Sequence, residues 1–82
     1  MEEKIRHLIE RFPERADVIR TLSASHTKFQ DLIGDHRDVS EELSTLEGGG
    51  EETDPARLEA LQRRRADLED ELMLLMENHQ RI

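Results

Sequence analysis

Apolar residues along this chain recur at three- and four-residue spacings, the period of an α-helix rather than of a strand. Ile5, Leu8, Ile9 and Phe12 draw one stripe over residues 2–11, which predicts a short helix. Glu2 and Glu3 stand in its first turn, where acidic side chains suit the macrodipole. Pro13 ends or kinks that helix and is suited to open the next. Val18, Ile19 and Leu22 carry the pattern over about 14–22. The run Ser23-Ala24-Ser25-His26-Thr27 forms helix poorly, because Ser and Thr compete for the backbone. It predicts a break with Ser23 or Ser25 as N-cap; the alternative is one helix from 14 to 46. A clear helical pattern then covers 26–46, with Gly34 inside it at a cost of about 1 kcal/mol against Ala. Gly34 either permits close packing or is simply tolerated. Gly48-Gly49-Gly50 marks a turn over 47–54, with Gly48 as the residue that stops the helix. Asp54-Pro55 is a start signal, Asp as N-cap and Pro at the first helical position. The last helix is predicted over 55–80, about 39 Å at 1.5 Å per residue.

The last two long stretches carry matching heptads. Leu58, Leu61, Arg65, Leu68, Leu72, Leu75, His79 and Ile82 alternate spacings of three and four, the a and d positions of a coiled-coil seam. Leu22, Phe29, His36 and Leu43 take a on the preceding stretch, and Val18, Ser25, Leu32, Val39 and Leu46 take d. Folding the chain at the glycines pairs Leu46 with Leu58, Leu43 with Leu61, Val39 with Arg65, His36 with Leu68, Leu32 with Leu72 and Phe29 with Leu75. Every layer joins an a to a d, as antiparallel helices require. The g flank supports the same register. Glu42 can reach Arg57 or Arg64, Asp35 can reach Arg64, and Lys28 can reach Glu71, all opposite in sign. Each exposed pair is worth only about 0.2–1 kcal/mol, but together they favour one alignment.

The e flank is different. Ile19, Ile33 and Met76 lie on it, with Met73 and Leu74 close by, so the helix is apolar around more of its surface than a two-helix seam can cover. These five residues form the candidate interaction face. Either the N-terminal helix folds back over them or a second copy does, completing a four-helix bundle. Two helices of this length rarely hold alone, which favours the second copy. The expected fold is therefore all-α: residues 1–12 as a short helix and 13–82 as a helical-hairpin domain.

Composition narrows the function classes. The 82 residues include 39% charged and 34% hydrophobic side chains, a balance that only periodic placement keeps from disorder. A formal net charge of −8 repels phosphate backbones and anionic lipid. No apolar run approaches the length of a membrane span. No Cys is present, hence no disulfide and no thiolate zinc site. Met1-Glu2-Glu3-Lys4 is unlike a signal peptide, so a cytoplasmic location is expected.

Candidate chemistry is sparse. His36 in mid-seam reads either as a pH-sensitive or ligand group or as a polar residue fixing register, and the second use is the better attested. Arg65 can lay its stem along the seam and put its guanidinium in water. Arg63-Arg64-Arg65 is the one basic cluster, opposed by Asp67, Glu69, Asp70 and Glu71; with Arg57 it would be the face for RNA, DNA or a ribonucleoprotein, a reading the acidic surface argues against. His7, His26, His36 and His79 form no metal-binding spacing. Ser25 and His79 can meet near the open end of the hairpin, without the acid and oxyanion site of a triad. The glycines follow a helix and precede no Lys-Ser/Thr, so they are not a phosphate loop. A hairpin also offers no cleft for paired carboxylates. No enzyme activity, cofactor or metal is expected. The expected partners are a second copy of the chain, as a homodimer, and an unidentified protein.

Three stretches carry a family resemblance: Phe12-Pro13-Glu14 with Val18-Ile19 and Leu22; Phe29, Leu32-Ile33, His36, Val39, Glu42-Leu43 and Glu47-Gly48; and Leu61, Arg63-Arg64-Arg65 and Leu68-Glu69-Asp70-Glu71-Leu72-Met73. In order and spacing the chain resembles the YdcH-like family of small bacterial proteins of unknown function, over residues 12 to about 76. The resemblance implies a helical hairpin and supports a break before Phe29. Family members often place Asn-Pro or Asp-Pro there, where this chain has His26-Thr27-Lys28. It implies no catalytic or binding residues and does not extend to the first 11 positions.

Overall fold

The computed structural model describes residues 2–49 and 54–80. Among these it contains four α-helices: α1 (Glu2–Arg11), α2 (Ala16–Ser25), α3 (Thr27–Gly49) and α4 (Pro55–Gln80). A 3₁₀ turn over Pro13–Arg15 joins α1 to α2. Most of the predicted turn (residues 50–53) and the seam position Ile82 lie outside the described residues.

Each boundary has a local cause. Phe12 precedes a proline, which disfavours the α region; its φ of −134° and ψ of 65° end α1. Between α2 and α3 the chain is extended at His26, with φ −112° and ψ 109°. The break was expected, but the cap was not. Ser23 and Ser25 turn their hydroxyls back onto the carbonyls of Arg20 and Thr21. His26 caps instead: its Nδ1 accepts from the Phe29 amide at 3.1 Å, the bond an N-cap side chain makes to the third helical residue. At α4 the Asp54 carboxylate accepts from the Ala56 amide at 3.0 Å, as its place before Pro55 predicts. The end of α3 departs from expectation. Gly48 does not stop the helix but lies within it, since it does not take the left-handed conformation by which a glycine ends a helix.

α3 and α4 form the antiparallel hairpin. Its register shows on the g flank, where Arg57 pairs with Glu42 and Arg64 lies 3.9 Å from Asp35. Along the seam, Leu22, Phe29, Leu32, His36, Leu43, Leu68 and Leu72 are buried. Val39, Leu46, Leu58, Leu61, Arg65 and Leu75 are half-buried. α2 packs on α1, α3 and α4, and α1 lies on α2 and α3. Ile5 and Leu8 of α1 and Ile19 and Leu22 of α2 join Phe29, Leu32, Ile33, Leu68, Leu72 and Met76 in one core.

This arrangement corrects the expectation for the e flank. Ile19, Ile33 and Met76 are not open: none is more than 1% exposed, and Met73 is half-buried. The chain's own first two helices bury them, so the four-helix packing is reached within one chain at this end of the hairpin. Of the five residues, Leu74 alone is exposed, at 60%. Towards the α3–α4 turn the hairpin runs on as two helices, and the body measures 47 × 22 × 21 Å.

Candidate functional site

Where α1 meets the hairpin, the core becomes polar. Glu69 stands on the same flank of α4 as Met76, one heptad earlier, and is buried. A buried carboxylate is costly unless its oxygens are hydrogen-bonded and its charge is met. Arg11, the last residue of α1, meets both needs. Its Nε donates to Glu69 Oε2 at 2.7 Å and its Nη2 donates to Oε1 at 3.1 Å, the bidentate geometry natural to a guanidinium. His36 of α3 adds a third bond, with Nε2 2.9 Å from Glu69 Oε2. An ionised carboxylate only accepts, so Nε2 carries the proton and neutral His36 has a bare Nδ1. That Nδ1 is buried without a hydrogen-bond partner.

The electrostatics follow from these contacts. Burial alone would raise the Glu69 carboxyl, but hydrogen bonds from Arg11 and His36 and the positive charge of Arg11 outweigh it and hold it below the usual carboxylate range. Burial pushes the His36 imidazole down; Glu69 pulls the other way, and Arg65 and Arg11 add to the depression. The hydrogen bond to Glu69 raises the Arg11 guanidinium further. The network is thus an ionised Glu–Arg pair backed by a neutral histidine.

Beside it lies an open groove of about 270 Å³ lined by His7, Ser40, Ser44, Glu47 and Arg65 together with Glu10 and Arg11. His7 Nε2 is buried without a hydrogen-bond partner, 4.0 Å from a Glu41 oxygen. Among the described residues no group of His, Asp and Glu has the arrangement of a metal site. Nor is the buried cluster arranged for proton transfer. Both Glu69 oxygens are engaged, and His36 is wholly shielded from solvent. Its evident work is mechanical: one carboxylate ties α1, α3 and α4 together.

The remaining sequence candidates are dispersed. Each arginine of the proposed nucleic-acid face has an acid beside it: Arg57 with Glu42, Arg63 with Glu59 at 3.7 Å and Arg64 with Asp35. Ser25 is bonded to its own helix, and His79 is exposed. No described helix is long and apolar enough to cross a membrane. Sequence reasoning placed His36 against Leu68 but missed Arg11 and Glu69. The available signal was Glu69 itself, an acid one heptad before Met76 and one residue from the layer of a polar seam residue.

Comparison with protein-family models, with curated proteins and with solved structures yields no match in any of the three.

Proposed function

We infer that this is a non-enzymatic helical interaction protein that associates with itself and presents a helix surface to a protein partner. The observation that carries this reading is the distribution of apolar surface. Leu74 is the one large apolar side chain left exposed among the described residues. It sits with Leu32 and Leu75 on an open groove of about 210 Å³ edged by Lys28 and Glu71. A single exposed leucine is ordinary, but this one continues into an apolar groove with a charged rim, which is the make-up of a small contact patch. The buried polar cluster supports the non-enzymatic half, since its hydrogen bonds are spent on holding helices together. A cytoplasmic location and a place in the bacterial YdcH-like family belong to the same proposal, and the likeness rests on the three stretches quoted above. No observation favours contact with nucleic acid, because Arg57, Arg63 and Arg64 each face an acid.

Sedimentation equilibrium on the purified full chain tests the reading. A dimer is expected in the high micromolar range. A strict monomer there overturns self-association.

A further inference from the structure

The flank that looked complete from the sequence is the open one. α1 and α2 cover the e side of the hairpin, while the g side carries Lys28, Asp35, Arg57, Arg64 and Glu71 exposed, and Glu42 half-exposed. Its charges are ordered. At three successive levels α3 presents Lys28, Asp35 and Glu42, and α4 presents Glu71, Arg64 and Arg57. The two helices are opposite in sign at every level. The two levels nearer the α3–α4 turn are closed by ion pairs within the chain. At the third level, Lys28 and Glu71 edge the same groove, yet neither has an ion-pair partner among the described residues. That level also holds Leu74.

We propose that this g face is a homodimer interface, in which a second copy packs against Leu74 with its Lys28 and Glu71 crossed between the chains. The proposal rests on the self-association reading and names its surface. A two-fold axis along the hairpin lays α3 of one copy over α4 of the other at the same level. Lys28 then meets Glu71 of the second copy, Asp35 meets Arg64, and Glu42 meets Arg57. A face whose two helices differ in sign at every level is self-complementary under that one operation, which is what an isologous contact requires. Leu74, with Leu32 and Leu75 behind it, supplies apolar area that the charges alone lack. The unpaired Lys28 and Glu71 give up no internal ion pair on binding.

The test uses the full chain with Lys28→Glu, Glu71→Lys and Leu74→Gln, all exposed positions, each checked for native helicity by circular dichroism. Sedimentation equilibrium should show Lys28→Glu and Glu71→Lys each weakening the dimer roughly tenfold, because like charges then face each other twice. Leu74→Gln should weaken it at least as much. Mixed in equal amounts, Lys28→Glu and Glu71→Lys should associate again, since one is acidic at that level and the other basic. A wild-type dimer that all three substitutions leave unchanged overturns this surface but not self-association. A wild-type monomer overturns both. Weakened variants whose mixture fails to recover overturn the crossed Lys28–Glu71 pairing.

Discussion

Arg11 and Glu69, 58 residues apart in sequence, are joined by two hydrogen bonds of 2.7 and 3.1 Å. α1 packs on α2 and α3, so this contact is what carries it across to α4. The pair is one-sided in its exposure: the Arg11 side chain is 47% exposed and the Glu69 side chain 9%. Removing the cation strands a buried charge, whereas replacing the whole cluster does not. Arg11→Leu should therefore destabilise the fold by about 1–3 kcal/mol, the lower part of that range reflecting solvent screening of the arginine. The triple variant Arg11→Leu, His36→Leu, Glu69→Leu should recover most of the loss. Urea unfolding of the two proteins checks this, and a triple variant less stable than the single one contradicts it.

The same cluster sets a pH dependence. His36 is depressed below 6.5 in the folded protein, chiefly by burial. Between its folded pKa and 6.5 the unfolded chain holds more protons, so stability is full above pH 6.5 and falls as the pH drops through the folded value. Glu69 is depressed below 4.5, so its contribution is full above 4.5 and is lost at still lower pH. Two windows should appear in urea midpoints measured from pH 7.5 downward. His36→Gln keeps a donor for Glu69 and cannot titrate. It should flatten the window just below pH 6.5 and leave the acid window in place. An unaltered slope in the upper window would assign that loss to other groups.

The α2–α3 break offers a local test. The Nδ1 of His26 holds the Phe29 amide, and among the described residues it is the side-chain acceptor of that amide. His26→Ala should cost about 0.5–2 kcal/mol, while His26→Asp or His26→Asn should cost little or stabilise, being stronger caps. Thermal unfolding of the three variants ranks them; equal losses would mean that the cap contributes nothing.

How much of this was legible follows from where each contact lies. The hairpin, its register and the Asp54 cap are encoded locally or as matched periods on two helices, and Leu43, Leu68 and Arg57–Glu42 stand where the heptads put them. The destination of α1 was not legible. Its apolar stripe fits any apolar flank, and the contact that ties it to α4, Arg11 on Glu69, joins residues far apart in sequence. The His26 cap is hard to read from sequence because serine is the commoner cap. A serine hydroxyl in the last turn of a helix can equally bond the carbonyl three or four residues back, as Ser23 and Ser25 do.

Gly34 separates two readings that the sequence left open. An added methyl group would meet nothing within 4 Å, so this glycine serves no close approach. It lies inside α3, where glycine costs backbone entropy. Gly34→Ala should stabilise the protein by up to about 1 kcal/mol. Guanidinium unfolding measures this directly, and a loss of stability would show that the space is needed.

The hairpin should also be unequal along its length. Leu68 lies at 3% exposure where four helices meet, and Leu58 is half-buried where only α3 and α4 remain. Truncating a side chain that is packed on all sides leaves a cavity as well as lost transfer energy; at a half-open site, water replaces part of what is removed. Leu68→Ala should therefore cost about 2–5 kcal/mol, and Leu58→Ala distinctly less. The same asymmetry predicts that amides of α3 and α4 near their joining turn exchange with solvent sooner than those around Phe29 and Leu72, because fewer apolar contacts hold them. Unfolding of the two variants, together with hydrogen exchange on the native chain, checks both consequences. Equal losses and uniform protection would mean that α1 and α2 add nothing to the half of the hairpin they cover.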